Sequence, residues 1–268
     1  MHFGIRKSLA AAVALLLLAT LAQADDKKGL GLGGLLGGKK GGSDNEQLLD
    51  AGADAMKGLS LSDADVAKLG AESAKAFDAK NTIAGGGDKY TQRLARLTSG
   101  YGKVDGLSLN YKVYLSPTVN AFALPDGSIR VYSGLMDLMS DDEIRFVIGH
   151  EIGHVKNGHA KARFKTAYLT QAARKGVASR GNAAGAVAQS ELGGIVENVI
   201  KAQHSQKNEL ESDQYGLNLL KRNKVDLKAS VSSMQKLGKL GGGKADLLSS
   251  HPASAERVKK LEAAIGKG

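Results

Sequence analysis

Apolar residues change their spacing three times along this chain. Leu9 to Leu21 is a 13-residue apolar run, preceded by Arg6 and Lys7 and followed by Ala22-Gln23-Ala24. A bilayer span needs roughly 20 apolar residues. A basic start, a short apolar centre and a small-x-small end instead predict a secretory leader over 1–24, cleaved after Ala24. Residues 25–42 (DDKKGLGLGGLLGGKKGG) are too rich in glycine to hold helix or strand, and read as a flexible linker. From Ser43 the spacing becomes helical. Ser62-Asp63-Ala64-Asp65 is an N-cap signal, followed at helical spacing by Val66, Leu69, Ser73 and Phe77. A second helix is predicted over Asp88 to Thr98.

The period then shortens to two. Leu107 to Leu115 alternates as a half-buried strand, Val119 to Leu124 is a second, and Ile129 to Tyr132 a third after the Pro125-Asp126-Gly127 turn. Everything after Ser133 reads as helix, interrupted near Gly181 to Gly185 and Gly241 to Gly243. The expectation is an α+β fold, mainly helical, with a small sheet beside a helical body in one domain over 43–268.

Composition narrows the chemistry. Cysteine is absent, which excludes disulfides, thiolate metal sites and cysteine nucleophiles. The net charge of +10 falls to +8 once Arg6 and Lys7 leave with the leader. The basic residues are scattered and aromatics are only 4%, too few for base-stacking platforms, so no nucleic-acid partner is expected. No later stretch reaches membrane-spanning length.

The strongest chemical signal is His150-Glu151-Ile152-Gly153-His154. Residues i and i+4 share one helix face, so two imidazoles can reach one zinc ion, with Glu151 about 100° round the helix as general base. Ser140-Asp141-Asp142-Glu143 is a capping box that starts this helix. A catalytic zinc needs a third protein ligand. The spacing HExxHxxGxxH is missed, because Asn157, Gly158, His159 and Ala160 follow; His159 projects about 180° from His150 and reads as structural. Glu209 is the better candidate. On a helix over Gln206 to Lys221 it shares the buried side with Asp213, whereas Glu211 points outward. Asp213 would then accept a hydrogen bond from a ligand histidine.

HExxH followed by Glu-x-x-x-Asp resembles the gluzincin metallopeptidases. Between Ser60 and Leu261, the stretch NYKVYLSPTVNAFALPDGSIRVYSGLMDLMSDDEIRFVIGHEIGHVKNGH and the later SHPASAERVKKL resemble the HtpX, Oma and CaaX-prenyl-protease family, including its bacterial envelope members. That resemblance implies a zincin-like domain and one zinc on His150, His154 and Glu209. It further implies Glu151 as base, Asp213 behind the ligands and Asn120 near the substrate. Two departures stand out. The envelope members are usually lipoproteins, and without a cysteine a soluble periplasmic form is implied. Ser212 occupies the place of the family's alanine.

His251 and Arg257 form an HP-x4-R motif. Pro252 predicts the first turn of a terminal helix, with His251 at its start. Spacing alone makes His251 a surface residue. The resemblance puts both residues beside the metal, as oxyanion donors, a role favoured for Arg257, or with His251 on zinc's open position. The expected activity is an endopeptidase acting on misfolded or unassembled envelope proteins. The alternative is a periplasmic chaperone or assembly factor with structural zinc, which would have no need of Glu151 as a base. The motif alone also suits an aminopeptidase.

Overall fold

The computed structural model describes residues 62–174, 199, 202–240 and 246–266. The expected leader, linker, helix from Ser43, glycine breaks and (Val199 apart) the 181–199 segment lie outside these residues. The elements run α1 (Asp63–Asp78), α2 (Lys89–Leu97), β1 (Lys103–Val104), β2 (Leu107–Ser108), β3 (Asn110–Tyr114), β4 (Ala121–Ala123), β5 (Ser128–Tyr132), α3 (Ser133–Leu138) and α4 (Asp141–Lys156). There follow α5 (His159–Arg174), α6 (Gln206–Arg222), α7 (Lys228–Lys239), α8 (Asp246–Ser250) and α9 (Ala255–Ile265). The expected α+β, mainly helical architecture is what the chain forms.

Two boundaries differ from the sequence reading. The single strand expected over Leu107 to Leu115 is two, β2 and β3, which belong to separate sheets. β2 instead closes a hairpin with β1, turned by Asp105 and Gly106 at φ 50° and 82°. An Asp-Gly pair with two positive φ values is a tight hairpin signal that outweighs continuous alternation. The terminal helix begins at Ala255 behind the Ser254 cap, so His251 and Pro252 sit in the connection from α8 and not at a helix start.

The main sheet has the order β3-β5-β4, with β5 parallel to β3 and antiparallel to β4. Its central strand is buried on both faces. Ile129 and Val131 join the core against α4, with Leu135, Ile144, Ile148 and Ile152. Alternation sends Arg130 and Tyr132 to the opposite face. There Tyr114, Phe122 and Tyr132 form an aromatic cluster, and Arg130 pairs with Asp78 at the end of α1.

Helix α4 begins as predicted, with Ser140 and Glu143 completing the capping box. Glu143 also accepts from Ser232 and Lys236 of α7, fastening the helix start to its neighbour. From Phe146 to His154 every residue is buried, so the polar groups of the motif lie inside the molecule. Helix α6 lies directly against it. A Cβ on Gly149 would stand 3.0 Å from Gly216 Cα, and one on Gly153 would stand 3.0 Å from Ser212 Cα. The two helices meet at glycine contact, and that closeness assembles the site.

Candidate metal centre and active site

Helix α4 delivers His150, Glu151 and His154, and α6 delivers Glu209 and Asp213. His150 Nε2 and His154 Nε2 face each other at 3.0 Å. Glu209 lies beside both, with Oε1 3.3 Å from His154 Nε2 and Oε2 3.6 Å from His150 Nε2. The connection between α8 and α9 adds His251, whose Nδ1 is 3.0 Å from Glu209 Oε1 and 3.3 Å from His150 Nε2. One donor atom from each of His150, His154, Glu209 and His251 falls within 4.8 Å of all the others, and all four residues are buried.

These residues suit a zinc ion. His150 turns Nδ1 to Asp213 Oδ1 at 2.9 Å, leaving Nε2 to the cluster. Three imidazole nitrogens and a carboxylate crowded into a buried volume are the soft and hard donors that zinc accepts, and their electron pairs repel without a cation. Burial alone would lower the His150 pKa, but the Glu209 charge and the Asp213 hydrogen bond raise it. His154 moves the other way, kept well below the usual imidazole range by burial, despite its hydrogen bond with Glu209.

Asp213 is held by Arg257, whose Nε and Nη2 donate to its two oxygens at 2.7 Å each. Burial raises the Asp213 carboxyl, and the bonds from Arg257 and His150 more than reverse it. Arg257 Nη1 donates to Pro252 O and lies 2.6 Å from Glu209 Oε2. Its guanidinium thus contacts both Asp213 and the carboxylate of Glu209.

Glu151 is 2% exposed, its Oε1 has no hydrogen bond among the described residues, and His251 Nε2 stands 3.5 Å from that oxygen. Burial raises its pKa. Beside it an apolar recess is lined by Val147, Met234, Leu237 and Leu247. Asn120, 3% exposed, directly precedes β4, and its Oδ1 likewise has no hydrogen bond among the described residues. Among the described residues β4 pairs along one side only, with β5.

Two histidines differ from the sequence reading or escaped it. Helix α4 ends at Lys156 and Gly158 turns the chain at φ 74°, so His159 opens α5 and the 180° projection does not apply. Its ring returns to His154, with Nδ1 3.2 Å from His154 Nδ1. His204, ahead of α6, stacks on His251 at 4.8 Å between centroids and lies 3.8 Å from the His154 ring. It is hydrogen-bonded to Arg163, which also reaches Val199 O and Ala202 O. All five histidines among the described residues therefore gather here. The count of histidines around one motif was the only signal of this in the sequence.

Comparison with known proteins gives a consistent picture. The sequence profile of Peptidase family M48 matches residues 91–265. Metalloprotease LoiP of Escherichia coli strain K12 is 42% identical over 220 residues, covering 81% of this chain and 87% of that protein. Metalloprotease YcaL of the same strain is 38% identical over 229 residues, 85% of this chain and 90% of its own. The mitochondrial metalloendopeptidase OMA1 of Arabidopsis thaliana is 36% identical over 164 residues, covering 59% of this chain and 32% of its own length.

Proposed function

The chain belongs to peptidase family M48 and is a zinc metalloendopeptidase, and from that premise we propose that it degrades misfolded or unassembled proteins of the bacterial cell envelope, as a periplasmic enzyme released from its leader after Ala24. The observation that carries the catalytic reading is the buried Glu151 beside the group His150, His154, Glu209 and His251. Zinc held by His150, His154 and Glu209 would supply Lewis acidity, polarising a peptide carbonyl and acidifying water. Glu151 Oε1, 3.5 Å from His251 Nε2, takes the proton of the attacking water and returns it to the leaving amine nitrogen. An extended substrate adds to the edge of β4 that is unpaired among the described residues, and Asn120 Oδ1 accepts from a substrate amide. Such backbone recognition suits unfolded chains, which offer extended segments regardless of sequence.

His251 Nδ1 lies inside the ligand group, which favours its occupying the fourth position at rest over the donor role. One preparation tests these roles together. The chain is expressed with its own leader in a Gram-negative host, recovered by osmotic shock, and assayed on unfolded casein. Mature protein starting at Asp25 is expected in that fraction, and Glu151→Gln should keep its zinc and lose about 10²- to 10⁴-fold in rate. Wild-type rates in Glu151→Gln would reject the mechanism, and retention of residues 1–24 would reject the soluble periplasmic form. His251→Ala should raise basal proteolysis; a fall would return His251 to the donor role.

A further inference from the structure

The two imidazoles at the heart of the cluster are braced differently. His150 donates directly to a buried carboxylate, Asp213, which Arg257 neutralises. Among the described residues no carboxylate meets His154 at its rear nitrogen. Its Nδ1 meets His159 Nδ1 at 3.2 Å, and His159 Nε2 lies 3.0 Å from Glu211 Oε2. Ser212 Oγ stands 3.4 Å from the same His159 Nδ1. His159 is buried at 7% exposure, whereas the Glu211 side chain is 44% exposed.

The proton positions along this row follow from one requirement. His154 Nε2 faces His150 and Glu209, so it is the nitrogen that presents its lone pair to a metal. A neutral ring then carries its proton on Nδ1. His154 therefore donates to His159 Nδ1. His159, accepting there, keeps its own proton on Nε2 and donates it to Glu211. Ser212 Oγ, at a longer 3.4 Å, can at most share the one lone pair of that accepting Nδ1 with His154. Every hydrogen bond in the row then points from the metal side towards the Glu211 carboxylate.

We propose that His159 and Glu211 are positioning residues for His154, an imidazole-carboxylate relay that orients this ligand and transmits negative charge to it from the protein surface. The inference rests on the zinc site proposed above. Outer partners of ligand histidines set the tautomer and raise ligand basicity, and their loss typically costs 10- to 100-fold in metal affinity. Among the described residues no guanidinium pairs with Glu211; Lys207 Nζ stands 3.8 Å away, at the edge of ion-pair distance. Its charge is thus less cancelled than that of Asp213. Ser212 Oγ, 3.4 Å from His159 Nδ1, packs against the ring at that nitrogen.

The relay is tested by zinc affinity, measured by competition with a chromophoric chelator, and by the visible spectrum of the cobalt-substituted protein. His159→Ala should weaken zinc binding about 10- to 100-fold and shift the cobalt bands. His159→Gln, whose Oε1 can accept from His154 Nδ1, should recover part of that loss. Glu211→Gln keeps an acceptor and removes the charge, so it should weaken zinc by a smaller factor without lowering the melting temperature of the zinc-free protein. Zinc affinity within about twofold of wild type in Glu211→Gln and His159→Ala, with unmoved cobalt bands, would overturn the relay. If His159→Ala does not fold, the exposed Glu211 variant decides alone. A His154→Ala control that binds zinc as tightly as wild type would instead remove the metal site itself, which is a different failure.

Discussion

Arg257 shows how much at this site hangs on a single side chain. It is 1% exposed, gives two 2.7 Å hydrogen bonds to Asp213 and touches Glu209. Removing it strands two buried carboxylates, and breaking a buried ion pair from one side costs about 3–5 kcal/mol. Arg257→Ala should therefore lose about that much stability in urea titration, at matched zinc. Arg257→Lys should recover only part of it, because an ammonium cannot bridge both Asp213 oxygens as a planar fork does. A loss within 0.5 kcal/mol, roughly the size of a surface substitution, would contradict the bracing role. At this scale the sequence was informative about spacing and silent about partners. The positions of His150, Glu151 and His154 on one helix follow from a four-residue interval. The direction of the Arg257 guanidinium does not, since Asp213 lies 44 residues away along the chain.

Between elements, the decisive contact is that of α4 with α6. Cβ atoms at Gly149, Gly153 and Gly216 would all fall within 3.1 Å of backbone on the facing helix. Those neighbours are backbone atoms, which cannot swing aside. Gly216→Ala would place its Cβ 3.1 Å from His150 N and 3.2 Å from Phe146 O, driving apart the helices that carry the ligands. We expect a loss of about 1–3 kcal/mol in urea titration and weaker zinc binding in chelator competition. Gly238→Ala on α7 is the control. Among the described residues nothing lies within 4 Å of its Cβ position, so the better helix propensity of alanine should leave it neutral or up to about 1 kcal/mol more stable. If both variants behave alike, close approach is not what sets the helix spacing. Helix α4 was legible because its capping box and apolar stripe are local. The division of Leu107 to Leu115 was misjudged because continuous alternation hides which sheet a strand joins.

Across the molecule, ion pairs tie distant segments to the site helices. Asp105, in the β1–β2 turn, accepts from Arg222 at 2.9 and 3.0 Å and from Tyr215 at 2.6 Å, both on α6. Its carbonyl accepts from Lys156 at the end of α4. The hairpin thus clips the two metal-site helices together. Hydrogen bonds from Arg222 and Tyr215 pull the Asp105 pKa down to about 2. The unfolded value is about 3.9, so the folded state favours the charged form, and this stabilisation is complete above that value. It is lost as pH falls towards and through about 2. Asp105→Asn should lower the melting temperature at pH 7 by a modest amount, since a partly exposed pair contributes about 1 kcal/mol or less. That difference should stay constant down to roughly pH 4 and close by about pH 2 in calorimetry. A difference that persists unchanged at pH 2 would show that the Asp105 charge is not its source.

Local pattern alone determined the α+β class, the helix through His150 and His154, and the buried side of α6 with Glu209 and Asp213. Each of these is a periodicity or a cap, and such signals depend only on neighbours a few residues apart. Tertiary structure decided what those faces meet. It brought His251 from 101 residues beyond His150 into the ligand group, turned His159 back onto His154, and set His204 over both. Those contacts arise where chain segments converge in a core at glycine contact, and no interval along the sequence encodes the distance between two helices that have yet to pack.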